Sequence, residues 1–91
     1  MRRFDFLVCY DISDKKRLRK VAKLLEKVSI RIQKSIFFYP EAGMGDIKTL
    51  SSNLFEQIDE KEDDVRIYRV DIKKSLNLSS AISLIKPNII K

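Results

Sequence analysis

From Phe4 to Tyr10 the chain is apolar except for Asp5, and the run stops at Asp11. It is too short and too aromatic for an exposed helix, and it predicts a strand buried on both faces. Ser13 then offers a hydroxyl as N-cap and Asp14 puts negative charge into a first turn, so a helix is expected from about residue 14. Leu18, Val21, Ala22, Leu25 and Val28 recur at spacings of three and four, one apolar stripe along about four turns. Lys16, Arg19, Lys20, Lys23 and Lys27 fall on the opposite side of that helix.

Residues 30–39 are rich in strand formers, interrupted by the polar Lys34-Ser35, and predict one bent strand or two short ones. Pro40 and Gly43-Met44-Gly45 punctuate a loop, after which Ile47, Leu50, Leu54 and Ile58 mark a second amphipathic helix opening near Asp46. An acid-rich segment, 59–64, ends it. Val65 to Ile72 predicts a strand whose apolar phase switches at Ile67-Tyr68, through either a bulge or burial of both faces. Residues 76–85 suit a short helix or a strand, and Pro87 separates them from the apolar end. The order strand, helix, strand or strands, helix, strand predicts an α+β, ferredoxin-like sandwich over residues 1–72, with 73–91 as a C-terminal extension.

At 91 residues and 44% hydrophobic content the chain makes one domain with a modest core, for which self-association is a useful source of stability. Cys9, the only cysteine, has no intrachain partner, and its apolar neighbourhood points to a buried, reduced thiol. No stretch approaches the ~20 apolar residues of a membrane span and no signal peptide opens the chain, so a cytoplasmic protein without membrane contact is expected. Histidine is absent, which excludes His-based acid–base catalysis, Ser-His triads and a Cys/His zinc site within one chain.

Charge is divided unevenly. Residues 1–34 carry 11 Lys and Arg against 4 Asp and Glu, a local +7, whereas residues 35–72 carry 4 against 9, a local −5. The remaining residues add 4 basic side chains and no acids, so a polyanion should meet one face rather than the whole surface.

The basic third is also the Asp11 third. A carboxylate at the C-terminal end of a strand, beside a helix that concentrates positive charge, can hold a hard divalent ion where phosphate also collects. Arg17 falls at the edge of the apolar stripe, near the helix start and so near Asp11. Arg17, Arg19 and Arg31 are the strongest phosphate-binding candidates, because guanidinium grips phosphate oxygens at two points; salt bridges to the acidic half are the structural alternative. Lys16, Lys20 and Lys23 extend that basic surface. Tyr10 suits packing better than substrate contact, and Ser13 a cap better than a nucleophile. Phe37 and Phe38 should point to opposite sides of a strand, one into the core and the other into a subunit interface.

Three blocks in register, Cys9-Tyr10-Asp11-Ile12-Ser13, Arg31 to Phe37 and Asp64-Val65-Arg66-Ile67-Tyr68, resemble the CRISPR-associated protein two family over residues 4 to about 72. The resemblance implies six elements, βαββαβ, with the 30–39 run split at Lys34-Ser35. It implies a homodimer in which two copies of Asp11 face each other and share one magnesium or manganese ion. A C-terminal tail that adds a strand to the partner subunit belongs to the same picture; Tyr10, Ser13 and Phe37 are expected, from their residue types and placement, as supporting or interface residues. Family members work with the CRISPR integrase in acquiring spacers, and several are described as metal-dependent endonucleases on single-stranded RNA or double-stranded DNA. Where a Glu often follows the Ser-hydrophobic-Phe block, this chain has Phe38.

Two functions are therefore expected to compete: an adaptor that holds duplex DNA by charge, with Asp11 dispensable, and a phosphodiesterase in which Asp11 is indispensable. A toxin-like ribonuclease of the same fold and a small ligand-sensing module are the remaining alternatives.

Overall fold

A computed structural model describes residues 2–71. The expected extension, 73–91, lies outside the described residues. The elements are β1 (Phe4–Asp11), α1 (Lys15–Glu26), β2 (Ile30–Gln33), β3 (Ile36–Ala42), α2 (Met44–Gln57) and β4 (Asp64–Val70). All four strands join one antiparallel sheet in the order β2-β3-β1-β4. This is the ferredoxin-like α+β arrangement, and the 30–39 run is two strands broken at Lys34-Ser35.

β1 is an inner strand, and its alternation serves apolar clusters on both faces of the sheet. Phe6, Val8 and Tyr10 face the helices; Val8 and Tyr10 pack with Val21, Leu25, Phe37, Leu50 and Leu54, while Phe6 packs with Ala42 and Ile47. Leu7 and Cys9 face the other way and pack with Ile36, bordered by Ile32, Phe38, Tyr68 and Val70. Both faces of β1 are thus buried, as the unbroken run requires. Cys9 is buried, and burial pushes its thiol up to about 11, so it stays protonated and unreactive at neutral pH.

Several expectations are corrected. Asp14, not Ser13, caps α1: its carboxylate accepts from the Arg17 N–H at 3.0 Å. The Ser13 hydroxyl instead donates to the Glu62 carbonyl oxygen at 3.1 Å. α1 is shorter than four turns, because the N–H groups of Val28 and Ser29 and the Ser29 hydroxyl all converge on the Leu25 carbonyl and close the helix. Val28 falls beyond it and is 43% exposed rather than part of the apolar stripe.

Pro40 lies inside β3, not in a loop. It is tolerated because the β1–β3 register shifts there: Phe6 opposes Tyr39 while Phe4 opposes Ala42, a bulge that leaves ladder positions unused. Glu41 sits at that bulge with φ 49°, and its N–H donates to Asp5 Oδ1 at 3.0 Å. α2 opens at Met44, two residues before Asp46, whose carboxylate reaches back to accept from the Gly43 N–H at 2.9 Å.

β4 pairs with β1 in unbroken register from Asp5↔Val70 to Asp11↔Asp64, so no bulge explains its phase switch. Val65 and Ile67 pack on the helix side, Tyr68 and Val70 on the other, and both faces are partly buried. Phe37 is fully buried on the helix side, in the core rather than at a surface, while Phe38 is its half-buried counterpart on the opposite face.

Candidate functional site

The end of β1 meets the β2–β3 turn, whose Ser35 carbonyl accepts from the Tyr10 N–H at 3.1 Å. Around this meeting point lies a concavity of about 420 Å³ lined by Tyr10, Asp11, Ile12, Leu18, Arg31, Lys34 and Ser35. The structure therefore brings Arg31 to the neighbouring Tyr10 and Asp11, which precede it by 20 residues or more because the α1 crossover intervenes.

Tyr10 is nearly buried, its ring stacked on Phe37 with centroids 6.1 Å apart, and its hydroxyl donates to the Lys34 carbonyl at 3.2 Å. Burial raises its pKa above the ordinary phenol value, against the lowering pull of Arg31, so it is neutral and serves to position neighbours rather than to take a proton. The Arg31 guanidinium lies 5.0 Å above the centre of the Phe37 ring, on the helix side of the sheet. Phe37 thus supports two of the polar residues from beneath.

Asp11 is exposed. It is opposed in register by Asp64 on β4. Directly opposed residues share a sheet face, and strand alternation puts this face with Cys9 and Leu7, away from the helices. Asp64 Oδ2 accepts from Arg66 Nε at 2.9 Å. Two carboxylates so placed suit a hard divalent ion of the magnesium type, which binds through one or two carboxylates and keeps waters for its remaining positions. Among the described residues no group of three or more His, Cys, Asp and Glu could hold a metal. The residues present fit a half-site, complete only with ligands from water, substrate or a second copy.

Arg17 is placed elsewhere. Its Nε donates to Asp63 Oδ2 at 2.7 Å, and its Nη2 reaches Asp63 Oδ1 at 3.2 Å and Glu62 Oε1 at 3.4 Å. This is the salt bridge to the acidic half set out above as the alternative to phosphate binding. Asp63 also accepts from the Ser13 N–H at 3.1 Å and the Asp59 N–H at 2.9 Å, so its fully buried carboxylate has four donors. With Arg17 first among the causes, these hold its pKa at about 2. Ser13 and Arg17 therefore tie the start of α1 to the α2–β4 loop.

Arg19, Lys16, Lys20 and Lys23 lie exposed on α1, together with Lys15 and the C-capping Lys27. They form a basic surface separate from the Asp11 carboxylate. Sequence reasoning missed Asp64 and Arg66 as neighbours of Asp11. The signal was present, since Asp64 to Tyr68 is one of the three resemblance blocks, but only the β1–β4 register shows which residue faces which.

The family model described as "CRISPR associated protein Cas2" matches residues 4–77. "CRISPR-associated endoribonuclease Cas2 1" of Nitrosomonas europaea is 39% identical over 67 residues, which cover 70% of this chain and 60% of that protein. The chain thus spans less than two thirds of that relative's length. "CRISPR-associated endoribonuclease Cas2 2" of Synechocystis sp. is 43% identical over 65 residues, 69% of this chain and 68% of the relative. The crystal structure of Streptococcus pyogenes Cas2 at pH 6.5 matches with a TM-score of 0.68 at 33% identity, covering 74% of this chain and 86% of that one. A chain of a partial Cas6-RT-Cas1–Cas2 complex matches with a TM-score of 0.70 at 25% identity, over 85% of this chain and 86% of that one.

Proposed function

The chain belongs to the CRISPR-associated protein Cas2 family, and on that premise we propose that it is a nucleic-acid-binding homodimer that works with the CRISPR integrase in spacer acquisition and hydrolyses phosphodiester bonds at Asp11. The observation that carries the hydrolytic part is the exposed Asp11 carboxylate at the end of β1, opposed by Asp64. RNA is the substrate that the relatives' name, endoribonuclease, favours, and we take it as single-stranded; double-stranded DNA is the other.

Asp11 and its copy in the second subunit would hold one magnesium or manganese ion. When bound, such an ion lowers the pKa of water and offsets charge developing on phosphate oxygens. The chain's own residues do the rest. Tyr10 fixes the end of β1 through the Lys34 carbonyl, Arg31 offers its guanidinium to a phosphate in the adjoining concavity, and Phe37 supports both. Arg17 and Ser13 hold the α2–β4 loop, and so the start of β4 that carries Asp64.

Metal removal tests this reading. Cleavage of single-stranded RNA should vanish in excess chelator and return with added magnesium or manganese. Hydrolysis that persists in chelator would sink the metal role.

A second reading, an adaptor for duplex DNA, is favoured by the cations exposed along α1, where Glu26 is the only acid between Lys15 and Lys27. Replacing Lys16, Lys20 and Lys23 together by Ser should reduce the slope of log affinity against log salt by about 2.7, since each phosphate contact on duplex DNA contributes roughly 0.9. Fluorescence anisotropy across a salt series would measure it, and an unchanged slope would remove α1 from the DNA interface.

A further inference from the structure

We propose that Arg66 is a second phosphate-gripping cation of the Asp11 site, on the sheet face opposite Arg31, held in orientation by Asp64, and that it contacts the backbone of single-stranded RNA. The inference rests on the reading that Asp11 is the site carboxylate.

Of the cations first expected near Asp11, only Arg31 lines the adjoining concavity, and it does so from the helix side of the sheet, opposite the face that carries Asp11 and Asp64. Arg17 is engaged by Asp63 and Glu62, Arg31 lies over Phe37 on the helix side, and Arg19 stands with the lysines of α1. Arg66 is on the Asp11 side of the sheet, because it opposes Cys9 and stands two residues from Asp64, which opposes Asp11. Diagonal neighbours of this kind are about 7–8 Å apart, within reach of a side chain as long as arginine.

Its anchoring leaves donors to spare. Asp64 takes Nε at 2.9 Å, and the Tyr68 hydroxyl lies close enough to interact with the guanidinium. A guanidinium has five N–H donors, so its outer edge remains available for two-point contact with a phosphate. The Arg66 side chain is 51% exposed, accessible to a ligand while tethered at its base.

Charge adds a second argument. Asp11 and Asp64 place two negative charges side by side, a poor place for a phosphodiester to settle. Arg66 cancels one of them beside Asp11, whereas the α1 cations lie on the helix side of the sheet.

The test uses the full chain and a short fluorescent single-stranded RNA, with anisotropy read across a salt series. Arg66→Ala should lower the slope of log affinity against log salt by about 0.7, the contribution of one phosphate contact on a single strand. Arg66→Lys, which keeps the charge but not the fork, should retain most of the slope. In cleavage, Arg66→Ala should raise KM more than it lowers kcat. Both partners of the Arg66–Asp64 pair are more than half exposed, so folding should survive, and the Lys variant guards against a misfolded Ala variant. An unchanged slope in Arg66→Ala overturns the inference whether or not RNA is cut. Full cleavage by Asp11→Asn protein overturns the underlying reading instead, while the Arg66 slope still decides whether this residue contacts phosphate.

Discussion

Asp11→Asn protein is expected to lose metal-dependent RNA cleavage by about 10³-fold or more, close to ~4 kcal/mol of transition-state stabilisation, while remaining folded. The substitution keeps the shape of the side chain and removes the charge that would hold a divalent ion. It should cost little stability because Asp11 is exposed at the end of β1. Easing the repulsion with Asp64 would, if anything, help cross-strand pairing. The measurement is a single-turnover cleavage assay in magnesium, paired with thermal unfolding of the same preparation. Wild-type cleavage by the variant would contradict the hydrolytic reading. The same protein separates the two proposed functions: if spacer acquisition continues after cleavage is lost, the adaptor role stands without chemistry at Asp11.

Asp63→Ala should be the most damaging substitution of a charged residue for stability. It removes the acceptor for the Arg17 guanidinium and for the N–H groups of Ser13 and Asp59 at once, leaving partly buried donors without their partner. Loss of charged hydrogen bonds of this kind costs about 2–4 kcal/mol, which for a domain of this size lowers Tm by roughly 10–20 °C. The same carboxylate gives the wild-type protein an acid-sensitive component. Its pKa is about 2 in the folded protein, below the ordinary Asp value of 3.8. The unfolded chain therefore takes up its proton first as pH falls. The contribution is complete well above 3.8 and is lost progressively as pH drops through 3.8 toward 2. Asp14, with its pKa also lowered by the Arg17 N–H that it caps, acts in the same direction. Wild-type and Asp63→Ala unfolding curves should converge on acidification. A constant gap between them down to pH 2 would show that Asp63 does not carry this dependence.

The architecture was legible because the apolar run Phe4–Tyr10 and the stripes on α1 and α2 each fit one element. The split at Lys34-Ser35 came with the family resemblance, since the composition of 30–39 fits one strand or two. Less legible were features set by pairing across the chain. Ser13 and Asp14 are both good caps by residue type, and the choice fell to Asp14 because Asp63 and Glu62 engage Ser13 from the other side of the α2 crossover. Pro40 looked like a terminator because ladder geometry, not local preference, decides whether its missing N–H matters. The surroundings of Asp11 illustrate the point for the site. Tyr10 is its sequence neighbour but faces the opposite side of the sheet, while Asp64, 53 positions away, faces the same side through the β1–β4 register. Neither composition nor periodicity supplies that register.

The position of β1 has a bearing on how the protein is made. Among the described strands, β1 leaves the ribosome before the others and is one of the two inner strands of the sheet, and its partners β3 and β4 lie some 25 to 60 residues downstream. Until they emerge, Phe6–Tyr10 is an uncharged segment of high strand preference with both edges open, the kind of sequence that pairs readily with another nascent chain. Asp5 and Asp11 bracket it. Charges at the two ends of an unavoidable apolar strand discourage intermolecular stacking, so these aspartates guard the chain during synthesis whatever else Asp11 does once it is folded.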